Sequence, residues 1–408
     1  MIWKEDIAKD TIFFQSVDRR LSKFENLVPI PEGVSYNSYI ILAEKTAILD
    51  CMEEAGVEDF ILTVQNLLQD RPLDYLILNH VEPDHTKALL SLLAIYPDAQ
   101  MIMTRQAKNL LGQFFREQPI KQLETARIVG DGDTTDLGSH VLRHVTAPMV
   151  HWPEVMMTYD ETTKVFFSAD AFGSFKAPAG HHFADQVNYD LDWLGENRRY
   201  YFNIVGARGP MVQAVLKKAS ALDIKILAPL HGLIFRTPET IAYILDKYQH
   251  WSTYQPEEPG VVIVYGSMYG NSAKAADLLA GFISREGCPN IRVYDVSNTD
   301  DSYILSDLHR FSHGVFFCNN YNAQLYRNMD FLLRHVALTN YDNRRIAFIY
   351  NMSWGGKALD QAREILSPGK NLTEVTEPIT IKSALDPAQV PDLQDMAKKI
   401  AEDIAKGI

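Results

Sequence analysis

Two α/β domains meeting near residue 252, the second a doubly wound parallel sheet, are what this 408-residue sequence predicts, on three observations. Short β-branched runs alternate with segments of helical period along the chain. The stretch STYQPEEPG at 252–260, with two prolines and two glutamates, breaks that alternation. Beyond the break the alternation becomes a regular strand-then-helix rhythm, the pattern of a sheet with crossover helices.

In chain order, SYIILAE, TAILD, YLIL, QMIMT and KVFFS read as strands of the first half. GVEDFILTVQNLLQD and TKALLSLLAIY read as helices between them, the second beginning at about Thr86. A helical segment ends near Trp251, which sets the first domain at 1–252 and the second at 253–408. After the seam the strands are VVIVY, IRVYDV, GVFFC, RIAFIY and TIKS, each followed by a helix-period stretch or the chain end. There is no internal repeat and no low-complexity tract.

Composition narrows the function. The net charge of −13 opposes binding to a phosphate backbone, so nucleic acid is not an expected partner. No apolar run approaches the roughly 20 residues that span a bilayer, and MIWKEDIAKDTIFF is charged where a signal peptide is apolar, so a cytoplasmic protein is expected. Three scattered cysteines, Cys51, Cys288 and Cys318, exclude a disulfide scaffold and any CxxC metal knuckle. Cys51 ends an apolar strand and reads as a packed thiol.

One stretch carries metal chemistry. NHVEPDHT, 79–86, follows the strand DYLIL, and Pro83 blocks its continuation, so His80, Glu82, Asp84 and His85 share a strand-to-helix loop. Further on, APMVHWPEVMMTY, KVFFSADAF and KILAPLHGLIF hold His151, Asp170 and His231 as single polar groups in apolar settings. A lone buried histidine is more often a hydrogen-bonded core residue, and a lone buried aspartate is costly. Three at strand ends, together with the loop, favour one shared site. His181 and His182 of GHHF are left out of it and expected on a loop near its entrance.

The second half offers a phosphate cradle. In VVIVYGSMYGNSAKAADLL a strand passes through a loop, Gly266 to Asn271, into a helix from about Ser272. Backbone N–H groups with the Ser267 and Ser272 hydroxyls can surround one phosphate there. GxGxxG is absent, so a dinucleotide fingerprint is not supported.

The metal constellation resembles the metallo-β-lactamase superfamily loop HxHxDH, with Glu82 in place of the second histidine. That HxExDH form is similar to the flavodiiron proteins, as are the 18 residues between His151 and Asp170 and the 60 between Asp170 and His231. The resemblance covers nearly the whole chain. It implies a metallo-β-lactamase-like αββα sandwich followed by a flavodoxin-like domain binding FMN. It implies His80, Glu82 and His151 on one iron, Asp84, His85 and His231 on the other, and Asp170 bridging them together with a hydroxide or oxo group. Three carboxylates beside four imidazoles suit non-haem iron. Against two divalent irons they leave one positive charge, which a bridging hydroxide cancels. For FMN the resemblance implies Ser267, Met268, Tyr269, Gly270, Asn271 and Ser272 around the phosphate. Asn319, Asn320, Tyr321 and Asn322, then Ser353, Trp354, Gly355 and Gly356, form the later loops. Trp354 is the group implied to lie near both flavin and irons. The family loop like SPTxNN here reads CNNYNAQLY, and SYGWSGGA reads NMSWGGKA.

The activity implied is reduction of dioxygen to water or nitric oxide to nitrous oxide, in an oxidoreductase that takes electrons from a separate donor, a rubredoxin or a flavin reductase. The assembly implied is a head-to-tail homodimer, alone or paired into a dimer of dimers. Two rival readings use the same residues: a dizinc hydrolase, which leaves Glu82 and the second domain unexplained, and an FMN electron carrier without diiron catalysis, which leaves the ligand set unexplained.

Overall fold

A computed structural model describes residues 2–407. The chain divides into two compact units, Met1–Gln249 and His250–Ile408. Among the described residues no helix is long and apolar enough to cross a membrane.

The first unit holds two large sheets. One runs in the order Trp3–Ala8, Thr11–Asp18, Val34–Leu42, Thr46–Leu49, Tyr75–Ile77, Gln100–Met103, Arg127–Ile128, antiparallel through the fourth strand and parallel after it. The other runs Thr134–Asp136, Val141–Thr146, Met156–Asp160, Val165–Phe167, Ile226–Ala228, with only the last pair parallel. A period of two sorts the first sheet's side chains. Ile40, Ile48, Leu76 and Met101 align across four strands and share a core with Phe60, Val64, Leu92 and Leu111 of the helices. The alternate residue Tyr39 meets Phe167 of the second sheet edge-on at 4.9 Å, and its hydroxyl donates to Pro229 O at 2.6 Å. On the far side of the second sheet, helix Gly209–Ala219 sends Lys218 Nζ to Thr146 O at 2.8 Å. Helices thus flank two facing sheets, the αββα sandwich.

Two of the strands not read from sequence lack a polar face over much of their length. Met156–Asp160 is buried at every position and Thr11–Asp18 at most of its first half, so neither shows alternation. The helix expected from Thr86 begins at Leu89, because Pro83 opens a separate 3₁₀ turn, Pro83–His85.

The second unit is a parallel sheet in the order Ile291–Asp295, Glu258–Tyr265, Phe311–Tyr321, Arg345–Met352, then Thr373–Glu374 and Ile379–Lys382 along the last edge. This is the flavodoxin-like strand order, with its switch point between the first and third strands. Helices Asn271–Arg285 and Val390–Ala405 share one core with it through Leu279, Ile283, Leu393 and Ile400. The seam belongs to this unit: Trp251 Nε1 donates to Glu257 Oε1 at 2.7 Å, and the buried Arg344 donates to Tyr254 O at 2.7 Å.

Candidate functional site

Strand ends of the first unit deliver the seven side chains to one place. Asp50, at the end of Thr46–Leu49, accepts from Asn79 N, Asn79 Nδ2 and His80 N at 2.7, 2.9 and 3.0 Å, which fixes the loop after Tyr75–Ile77. The 3₁₀ turn then aims Asp84 and His85 inward. Asp170 sits on the loop after Val165–Phe167, between Ala169 at φ 51° and Phe172 at φ 69°. Two non-glycine residues in the left-handed region mark a backbone bent at a cost to present that carboxylate. His231 lies three residues past Ile226–Ala228, with Nδ1 donating to Ser35 O at 2.9 Å.

Two groups result. In the first, His80 Nε2 is 3.1 Å from Glu82 Oε2, and His151 Nε2 is 3.2 Å from both Glu82 Oε2 and Asp170 Oδ2. In the second, His85 Nε2 is 3.1 Å from Asp170 Oδ1, and His231 Nε2 is 3.5 Å from Asp84 Oδ2 and 3.7 Å from Asp170 Oδ1. Donor atoms held about 2.1 Å from a common ion lie about 3–3.5 Å apart, so each group has the spacing of a coordination set. Asp170 turns one oxygen to each.

The chemistry of the donors fits cations as well. Both oxygens of Asp84, both ring nitrogens of His85, Asp170 Oδ1 and His231 Nε2 are buried with no hydrogen-bond partner. Buried polar atoms are rarely left so, and a pair of metal ions would satisfy these. Charge points the same way. Burial alone would raise the Asp170 carboxyl, but His80, His85 and His231 outweigh it and hold it well below the usual range. Burial likewise opposes ionisation of Glu82, and its bonds to His151 and His80 win, holding it down. Burial pulls His85 and His151 toward the neutral form, but facing carboxylates push both up to about 9. Tyr200 donates its hydroxyl to Asp170 Oδ2 at 3.0 Å, and Phe24 and Tyr36 each stand 5.4 Å from the His231 ring as an apolar wall.

Several supporting groups lay outside the sequence-based set: Asp50, Tyr200, Ser35 and Glu154, which accepts from His80 Nδ1 at 2.7 Å. Glu154 had a signal, since it stands three residues after His151 in HWPE; Tyr200 had none beyond being one of many tyrosines. His182 is buried, bonded to Gln15 Oε1 at 2.6 Å and stacked on Trp3, while His181 beside it is exposed. Cys51 is a buried thiol.

In the second unit a cavity of about 290 Å³ opens at the C-terminal ends of the strands. Of the residues named from sequence, Ser267, Met268, Tyr269, Asn271, Ser272, Asn319, Asn320, Tyr321, Asn322, Ser353 and Trp354 line it; Gly270, Gly355 and Gly356 do not. The glycines act through the backbone. Gly270, at φ 85°, makes the turn into helix Asn271–Arg285, whose N-terminal N–H groups face the cavity mouth. Any Cβ on Gly356 would lie 2.4 Å from the Asn320 amide. Ala323, Asn351, Met352 and Ser383 also line the cavity; Asn351 Nδ2 donates to Ser272 Oγ and to Ser383 O at 3.0 and 3.2 Å. No lining residue is charged, so a phosphate would be held by N–H and hydroxyl dipoles.

A family model described as ODP family beta lactamase matches residues 34–232, the stretch holding all seven metal-type residues. Diflavin flavoprotein A 1 of Synechocystis is 31% identical over 305 residues, 74% of this chain and 51% of the relative. The anaerobic nitric oxide reductase flavorubredoxin of Escherichia coli O1:K1 is 28% identical over 81% of this chain and 68% of its own. The chain is similar to the diflavin flavoproteins and flavorubredoxins and shares the fold of the flavodiiron proteins. It spans about half the length of the diflavin flavoprotein it matches. Solved flavodiiron structures share the fold across both units. The rubredoxin oxygen:oxidoreductase of Desulfovibrio gigas superposes with a TM-score of 0.89 over 99% of each chain at 22% identity. The flavodiiron protein of Giardia intestinalis gives 0.88 over 100% of this chain and 98% of its own at 21% identity.

Proposed function

We propose that this chain is an oxidoreductase that reduces dioxygen to water, nitric oxide to nitrous oxide, or both, at two non-haem irons supplied with electrons through FMN. The observation that carries the reading is Asp170, whose two oxygens face separate three-residue groups of metal-type donors, those of the Asp84, His85, His231 group buried without hydrogen-bond partners. His80, Glu82 and His151 would hold one iron, and Asp84, His85 and His231 the other. Three carboxylates among four histidines favour iron over zinc. When bound, the irons supply open positions for a diatomic gas and one-electron chemistry, and FMN converts paired electrons to single ones.

The chain's own residues supply orientation and exclusion. Tyr200 holds Asp170 Oδ2, Ser35 O fixes the His231 ring so that Nε2 faces inward, and Phe24 and Tyr36 keep bulk water from the second group. In the second unit the helix N-terminus at Asn271, with Ser267 and Ser272, suits the FMN phosphate, while Tyr321 and Trp354 flank the place for the ring.

The names of relatives include a rubredoxin oxygen:oxidoreductase and a nitric oxide reductase flavorubredoxin, which support either gas as the substrate and a rubredoxin as the donor, with a flavin reductase as the alternative donor. We further propose a head-to-tail homodimer in which the flavin of one chain serves the irons of the other. Its support is the cavity rim, where Tyr269 and Trp354 are 92% and 75% exposed. Large aromatics exposed together suit an interface.

The test is anaerobic reconstitution with ferrous iron and FMN, followed by chemical reduction and exposure to each gas. Two irons and one flavin per chain with consumption of either gas is expected. Retention of zinc in preference to iron, with no gas consumed, would sink the reading in favour of a hydrolase.

A further inference from the structure

The two metal groups are not equivalent, and the difference lies behind their histidines. His231 Nδ1 is held by a neutral backbone carbonyl, and His85 Nδ1 is buried with no partner. His80 Nδ1 instead donates to the carboxylate of Glu154 at 2.7 Å. Glu154 is itself 1% exposed, and the same oxygen, Oε1, accepts from Val81 N at 3.2 Å, so it binds the ring and the backbone of the ligand loop together. Its own backbone is pinned by Thr104 Oγ1, which donates to Glu154 O at 2.9 Å. Trp152, two residues earlier, meets the His80 ring edge-on at 5.5 Å. The four residues 151–154 therefore supply one ligand of the first group and grip another from two sides. A carboxylate behind an imidazole selects the tautomer that presents Nε2 and makes the ring a stronger donor.

We infer that Glu154 is a positioning residue that makes the His80, Glu82, His151 group the tighter and more electron-rich of the two metal positions. This rests on the two-iron reading. Glu154 touches neither substrate nor metal; it acts through His80.

The test uses full-length apoprotein, titrated anaerobically with ferrous iron, and separately with cobalt(II) as a spectroscopic probe, against a competing chelator. The parent is expected to bind two ions in two steps, the tighter step belonging to the first group. Glu154→Gln keeps the shape but leaves an amide N–H₂ where Oε2 is now buried without a partner. It is expected to weaken the tighter step about 10–100-fold, shift the cobalt absorption of that step, and leave the other unchanged. His151→Ala removes a ligand of the first group, so adding Glu154→Gln to it should change the remaining step no further. Equal weakening of both steps, or a fall in apoprotein melting temperature that accounts for the loss, would show that Glu154 only holds the fold. Unchanged binding in Glu154→Gln would overturn its role outright. A parent that binds no pair of ions overturns the two-iron reading and this inference with it, a result distinct from the other two.

Discussion

In the proposed two-iron centre, Asp170 is the ligand shared by both groups. Asp170→Asn keeps the shape and removes the charge, and among the described residues its salt links are to the four histidines around it. Iron content is expected to fall from two to below one per chain, measured by metal analysis after anaerobic reconstitution; full occupancy of both positions would exclude it as the bridge. At this scale the residue types were legible in the sequence, because Glu82, Asp84 and Asp170 are carboxylates in places that apolar packing does not explain. The partners of those residues were less so. Asp50 and Tyr200 look like an ordinary strand-end aspartate and a core tyrosine until the fold brings them against His80 N and Asp170 Oδ2.

At the scale of elements, the second sheet of the first unit carries a buried histidine that supports the site from behind. His144, on Val141–Thr146, faces Thr135 Oγ1 at 2.9 Å and neighbours Thr158, whose hydroxyl donates to Asn79 Oδ1 at 2.7 Å. Burial, with help from Arg127, lowers it to about 4. Because its folded value lies below that of an unfolded histidine, about 6.5, the unfolded chain binds the extra proton between those values. Its contribution to stability is complete above pH 6.5 and is lost as the pH falls toward 4, by about 1.4 kcal/mol per unit of separation. Urea midpoints across that window should fall less steeply in His144→Gln than in the parent; parallel slopes would remove His144 as the cause. In the second unit, the loop after Arg345–Met352 is clamped by Asn320, which donates to Tyr350 Oη at 2.7 Å and accepts from Ala358 N at 3.2 Å. Gly356→Ala drives a methyl into that amide. Overpacking of this kind costs about 1–3 kcal/mol, and flavin fluorescence titration should show FMN binding weakened by tenfold or more, while iron binding stays at the parent level.

At the scale of the whole molecule, the proposed head-to-tail homodimer makes each site depend on two chains. His231→Ala disables the irons of one chain. Gly266→Val disables the flavin of another, since a Cβ there would lie 2.5 Å from the Tyr326 ring. Neither variant alone should reduce gas. If the flavin of one chain serves the irons of the other, heterodimers formed by mixing the two hold one intact pairing, and turnover should return in part. No recovery, with heterodimers verified by mass spectrometry, would mean that electrons pass within one chain.

By itself the sequence determined the two α/β units, the main strands of the second unit's sheet and the seven candidate donors with their order, because strand period, turn residues and polar atoms in apolar runs are local signals. The strands 11–18 and 156–160 escaped it, since burial on both faces erases alternation. Tertiary structure alone placed Glu154 behind His80, and it gave geometry to the shared role that the family resemblance implied for Asp170, one oxygen toward each group. Those relations join residues 19–90 positions apart in the chain, and only the meeting of strand ends from two sheets brings them within bonding distance.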